Sequence, residues 1–352
     1  MVVVSRILCF RRVVTLAVGL LLLAGAGCQL PQRMADRVMT APNVRANVKP
    51  GVRAAMDWQE GTTKLTNVFV LSSVPVGPPT AKLQVMELAP GDYHVKVDVK
   101  VEARPGGKHF LTMNYLPNPT FGLPMSPLPE RGTVVLLHGY IVFKETMLPW
   151  AFLLAQAGYR VVLVDLRGHG GSTGDTVSFG KYETADLVQM LDDRQRRGLC
   201  PGKVGVLGYS MGANLALHWA AHDPRVGTVV AIAPYNIVEE AMQRLAREMG
   251  IPITARVAHS ALDLVATKLG VDWADWSGVA AARGLKVPVL LVGGAKDNIS
   301  RPADIAALQA AAPAAAQSIV VPIATHEVLA VWLHELGEPV KQWFADHLVG
   351  EK

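Results

Sequence analysis

The chain has 352 residues, half of them hydrophobic and 18% charged, which suits one large domain with a well-filled core and excludes a disordered or fibrous protein. Its net charge is +5, but Arg6, Arg11 and Arg12 supply three positive charges ahead of any acidic residue, so about +2 remains beyond position 28. No basic run follows, which argues against a nucleic-acid partner.

Residues 1–27 read as a signal peptide: a basic start, then an apolar run over 13–23 that is too short to span a bilayer comfortably. Leu23-Ala-Gly-Ala-Gly-Cys28 resembles the lipobox of bacterial lipoproteins, with Gly25 where that pattern prefers a leucine-like residue. Ala24-Gly25-Ala26 also fits ordinary A-x-A cleavage. The expectation is an exported, periplasmic or cell-envelope protein, anchored to the membrane through lipidated Cys28. Cys9 leaves with the signal, so Cys200 has no partner; no disulfide framework is expected, and Cys200 reads as a buried, inert thiol.

Residues 28–85 carry Pro31, Pro42, Pro50, Pro75, Pro78 and Pro79 in mixed polarity, and read as a tether followed by irregular or edge structure. From Tyr93 to Glu102 apolar and polar residues alternate with period two, Pro105-Gly106-Gly107 supplies a turn, and 109–115 returns. That predicts two half-exposed antiparallel strands, with His94 and His109 on the solvent side. A proline-rich connection over 117–129 leads into the main domain.

From Gly132 the pattern becomes strand, helix, strand, helix. Apolar runs at 133–137, 160–164, 203–207, 228–233, 287–292 and 318–323 are of strand length, and helical segments lie at about 146–157, 181–197, 213–222 and 302–312. The alternation predicts a parallel sheet covered by helices on both faces, whose ligands bind beyond the carboxyl ends of the strands. Four of those ends carry reactive or glycine-bearing residues: His138-Gly139-Tyr140, Gly208-Tyr209-Ser210-Met211-Gly212, Gly293 to Asp297, and Ala324-Thr325-His326. Around Ser210 a strand, a sharp turn and a helix follow in the order that gives G-x-S-x-G meaning. A serine in a strained turn needs glycine two residues before and two after it. The helix beginning just beyond points free N–H groups and its positive dipole end at the reacting centre.

Together with Asp165-Leu-Arg-Gly-His-Gly-Gly-Ser172, these landmarks resemble the α/β-hydrolase family over roughly residues 90–350, most of all its esterase and serine-aminopeptidase-like group. One departure is Gly293-Gly294, where relatives often carry His-Gly ahead of the acid. The resemblance implies an α/β-hydrolase domain over 86–350, with N-terminal antiparallel strands and a helical cap inserted at about 235–285. Ser210 would be the nucleophile, His326 its base and Asp297 the acid that orients the imidazole. The backbone N–H groups of Tyr140 and Met211 would form the oxyanion hole. The chemistry calls for neither metal nor cofactor.

Other candidates compete for these roles. Asp165 follows an earlier strand, and Glu327 adjoins the histidine but would have difficulty turning back onto its ring. His138 reads as a brace of the oxyanion loop and His169 as a loop-shaping residue. His218 and His222, four apart on the helix after Ser210, lack the H-E-x-x-H context of a zinc site and read as a helix face. In the insertion, 237–249 and 253–269 have helical periodicity, and Trp273 and Trp276 are candidate pocket residues. The expected activity is hydrolysis of a small-molecule carboxylic ester through an acyl-enzyme. The same triad also serves amides, peptides and thioesters, and the scaffold can be a catalytically silent, surface-attached binding protein. The sequence carries no signal for oligomeric state.

Overall fold

A threonine and four apolar residues in a row, Thr133–Leu137, can all be buried only where both faces of a sheet are covered, and that is where the chain puts them. The structure, a computed structural model, describes residues 5–6, 29–40, 69–93, 95–104, 108–117, 126–251, 254–313 and 315–348. The apolar run at 13–23 and Cys28 lie outside the described residues.

In chain order the strands are β1 (Phe69–Val76), β2 (Ala81–Leu88), β3 (Val95–Arg104), β4 (Lys108–Pro117), β5 (Thr133–Leu137), β6 (Arg160–Val164), β7 (Val204–Tyr209), β8 (Val226–Ile232), β9 (Val289–Gly294) and β10 (Gln317–Val321). The helices are α1 (Leu30–Met39), α2 (Leu148–Gln156), α3 (Lys181–Arg196), α4 (Met211–His222), α5 (Val238–Glu248), α6 (Ala255–Leu269), α7 (Gly278–Gly284), α8 (Pro302–Ala311), α9 (His326–Leu329) and α10 (Leu333–His347). Eight strands form one sheet in the order β10-β9-β8-β7-β5-β6-β2-β1. β5 to β10 run parallel, while β2 is antiparallel to β6 and β1 to β2.

The pleat sorts the core into two layers. On β5, Val135 and Leu137 pack with Leu187 and Leu191 of α3 and Leu215 and Trp219 of α4. Val134 and Leu136 face the other way, onto Trp150 and Phe152 of α2 and Val340 and Phe344 of α10. Each such side chain, fully buried, contributes about 1.5–3 kcal/mol. The chain runs outward from β5 through β6, then crosses to the other flank at β7. The ends of β5 and β7 therefore flank the reversal of strand order, the place where such sheets bind ligands.

The N-terminal third departs from the sequence reading. The antiparallel strands of the central sheet are β1 and β2, drawn mostly from the stretch expected to be a tether followed by irregular or edge structure; β1 is the edge strand, and the sheet begins near residue 69 rather than 86. Pro78 and Pro79 stand in the turn between them, and Pro75 lies on the sheet edge, where a missing N–H is tolerated. β2 escaped notice because Leu83, Val85 and Leu88 are buried alongside Met86 and Glu87, which blurs its alternation. Arg194 of α3, fully buried, fastens this edge by pairing with Glu87 of β2 and donating to Ser72 of β1 at 3.0 Å. The alternating stretch forms the antiparallel pair β3–β4 as expected, but that pair belongs to a separate sheet, with residues 5–6 along its edge; the turn expected at 105–107 and His94 lie outside the described residues.

Residues expected to be tether also form α1. Pro31 sits in its first turn, where a proline's missing N–H costs nothing. α1 packs on α6 with Ala35 fully buried, and Asp36 pairs with Lys268. The insertion gives α5 and α6 close to the predicted positions, while α7 packs against α4 and α8 in the layer beside the sheet. Among the described residues no helix is long and apolar enough to cross a membrane.

Candidate active site

β7 ends at Tyr209 and α4 starts at Met211, which leaves Ser210 alone in the turn with φ +54° and ψ −116°. A non-glycine residue held there costs about 1–3 kcal/mol, so the surroundings must enforce it. Two glycines allow the turn to close. A Cβ on Gly208 would strike the Gly212 carbonyl, and a Cβ on Gly212 would strike the carbonyl oxygen of Leu137 at the end of β5. Gly139 is tight but less confined: a Cβ there would lie 3.3 Å from that of Ser210.

The three residues expected to act together meet. His326, at the start of α9, places Nε2 3.0 Å from Ser210 Oγ and Nδ1 2.8 Å from Asp297 Oδ2. Asp297 is buried, and its Oδ1 accepts the backbone N–H groups of Ile299 and Ser300, each at 2.8 Å. The acid and histidine loops are also joined directly, because Ala295 N–H donates to Val321 O at 2.9 Å and Lys296 N–H to Ala324 O at 3.1 Å. Neither rival acid faces the imidazole. Asp165 accepts from Lys144 Nζ at 2.8 Å, Lys144 N at 2.9 Å and Gly171 N at 2.8 Å. Glu327 accepts from the Thr325 hydroxyl at 3.0 Å.

The Tyr140 loop lies beside Ser210 and is held from several sides. His138 Nδ1 donates to Gly139 O at 2.8 Å while its Nε2 accepts Leu166 N–H at 3.0 Å, a pattern that requires the neutral ring. Burial pushes that ring down to about 3. His169 sets its ring nitrogens 2.8 Å from Arg167 O and 2.8 Å from Tyr140 O. The Tyr140 hydroxyl donates to Val38 O at 2.8 Å, so the loop is tied to the last turn of α1. Met211, the first residue of α4, has no carbonyl one turn back within its helix to accept its N–H. Among the described residues no hydrogen bond from the Tyr140 N–H to another group is found. The arrangement sets a serine hydroxyl against a base, with the first N–H of a helix one residue along.

The remaining candidates fall elsewhere. His222 Nδ1 donates to His218 O at 2.8 Å, and the His218 ring packs on Trp276 with centroids 5.0 Å apart, so the pair makes up a packed helix face. Trp273 packs edge-on against Phe179, and Trp276 lies against Gly180. Cys200 is a free, buried cysteine whose thiol is pushed up to about 11 by burial. Of the two insertion helices, α5 packs beside the loop that carries Asp297. Arg244 of α5 donates to Ile299 O at 3.0 Å and pairs with Asp304 at 2.7 Å, next to the acid loop. Sequence reasoning passed over Arg244 and the Tyr140 hydroxyl, because their partners lie 55 and 102 residues away.

Comparison with known proteins agrees with this architecture. A family model described as alpha/beta hydrolase fold matches residues 132–249. An uncharacterized Bacillus subtilis protein, YqkD, is 30% identical over 134 residues, covering 37% of this chain and 44% of that protein. A thermostable monoacylglycerol lipase of a Bacillus species is 34% identical over 104 residues, 28% of this chain and 39% of that one. The chain thus spans less than half the length of these curated relatives. A Pyrococcus furiosus esterase structure is 18% identical with a TM-score of 0.58, covering 82% of this chain and 96% of that one. The chain has the α/β-hydrolase fold.

Proposed function

We propose that the protein is a serine hydrolase that cleaves carboxylic esters of small molecules through an acyl-enzyme. The observation that carries this reading is the unbroken hydrogen-bonded series from buried Asp297 through His326 to Ser210 Oγ. A serine hydroxyl is a poor nucleophile at neutral pH, and a base within hydrogen-bond reach makes it competent. As Oγ bonds to the ester carbon, its proton passes to His326 Nε2 and the carbonyl electron pair moves onto oxygen, facing the Tyr140 and Met211 N–H groups. Collapse breaks the carbon–oxygen bond, and Nε2 returns the proton to the departing alcohol. Water then repeats the sequence on the acyl-serine, releasing acid and free enzyme. Asp297 keeps the Nδ1–H tautomer and stabilises the imidazolium. The esterase and lipase likenesses support the choice of an ester.

The test is Ser210→Ala assayed with a short-chain p-nitrophenyl ester and a fluorophosphonate probe. Turnover and labelling are both expected to vanish while the melting transition stays. Labelling that survives in the variant would remove Ser210 from the reaction.

We also propose that the protein is exported and held at the membrane by acylated Cys28, on the strength of the basic, apolar and lipobox-like leader. Mass spectrometry of the mature N-terminus decides both parts: an unmodified Cys28 ends the lipid anchor, and an uncleaved leader ends export.

A further inference from the structure

Tyr209 occupies the variable position directly before Ser210, and its side chain joins three of the loops that meet there. A Cβ on Gly139 would lie 3.2 Å from two carbons of the Tyr209 ring, so the ring packs against the oxyanion loop. Its hydroxyl donates to the backbone carbonyl of His326 at 2.9 Å, and the two rings stand 5.3 Å apart. Tyr209 is buried, and burial pushes its phenol well above the usual tyrosine range, so the hydroxyl keeps its proton and remains a donor.

The two tasks of the histidine differ in what holds the ring. While Ser210 carries its proton, the Oγ···Nε2 contact of 3.0 Å tethers the imidazole from the substrate side. Once Oγ has bonded to the ester carbon, that tether is gone. The imidazolium must then reach the departing oxygen from a position set by Asp297 on one side and by its own backbone on the other. The backbone anchor is the Tyr209 hydroxyl.

We propose that Tyr209 is a positioning residue for proton delivery to the leaving group, an assignment that rests on the serine-hydrolase reading above. The proton concerned is the one that Ser210 gave up: it moves from Nε2 to the oxygen as the carbon–oxygen bond breaks. Departure of p-nitrophenolate needs no such proton, whereas departure of an alkoxide does.

The experiment compares kcat/KM, which reports acylation, for p-nitrophenyl butyrate and ethyl butyrate in the wild type and in Tyr209→Phe. A displaced general acid is expected to lower the ethyl ester value about tenfold and the p-nitrophenyl value about twofold, since small misplacements of a catalytic group cost one or two decades. An equal loss on both esters, or no loss on either, overturns the assignment. So does a Tyr209→Phe protein that no longer melts cooperatively, because the hydroxyl would then serve the fold and not the reaction. Ser210→Ala is labelled with fluorophosphonate in parallel. If labelling survives there, the serine reading itself fails; if it vanishes while the ester ratio is unchanged, only the role of Tyr209 does.

Discussion

Asp297→Asn is the substitution whose consequence the geometry defines most closely. The two Asp297 oxygens have different partners: Oδ1 accepts two backbone N–H groups at 2.8 Å, and Oδ2 faces His326 Nδ1 at 2.8 Å. In asparagine the amide oxygen must take the first position, because an NH2 group there would meet two donors. The NH2 group is thereby turned toward His326, where it can be accepted only by an unprotonated Nδ1. The ring's proton moves to Nε2, the nitrogen that should receive hydrogen from Ser210. The side chain keeps its shape while the base is disabled. The expected loss in kcat is about 10³- to 10⁴-fold, or about 4–5.5 kcal/mol of transition-state stabilisation; the upper figure is the one known for the equivalent change in a serine protease. Initial rates on p-nitrophenyl butyrate and the second-order rate of fluorophosphonate labelling measure it, with Asp165→Asn and Glu327→Gln alongside. An Asp297→Asn protein retaining a tenth of wild-type kcat, or a greater loss in either companion, refutes the reasoning.

Two further outcomes follow from buried groups. Tyr140→Phe removes the bond to Val38 O and leaves that carbonyl short of a partner, at a cost of about 1–3 kcal/mol to the docking of α1. Hydrogen exchange should quicken across 30–39 in this variant and stay unchanged in β7, and equal protection of α1 in both proteins contradicts the contact. Acid should begin to destabilise the fold as pH falls below the ordinary histidine range. Burial pushes His138 down to about 3 and His218 down to about 4, and lowers His169, all from an ordinary 6.5. Below pH 6.5 the unfolded chain therefore takes up protons that the folded one refuses, so this stability is complete above 6.5 and is lost as pH falls. Asp186, pushed up to about 6 by burial, and Glu145, also raised by burial, work in the opposite sense. Counting His138 and His218 against Asp186 alone, the net uptake of about one proton predicts a loss of about 1.4 kcal/mol per pH unit between 6 and 4.5. Denaturant midpoints across that range measure the slope, and a flat profile contradicts it.

How far the sequence could be read depended on how local each signal was. β5, β6 and β7 were legible because strands covered on both faces become unbroken apolar runs, and Ser210 because its strand, turn and helix adjoin it in the chain. Asp297 and His326 could be found from the strand ends that precede them. β1, β2 and α1 were not legible, since Pro31, Pro75, Pro78 and Pro79 read as breakers until their positions at a helix start, a sheet edge and a turn are known. The Arg194–Glu87 pair and the Tyr209 and Tyr140 hydroxyl bonds span about a hundred residues each, and no pattern within a short window reports them.

The order of these pieces along the chain has a bearing on biosynthesis. α1 is made early, yet its partner Lys268 lies 232 residues further on. The imidazole at 326 follows the serine by 116 residues. A nascent polypeptide leaving the ribosome thus exposes its serine long before any base can reach it.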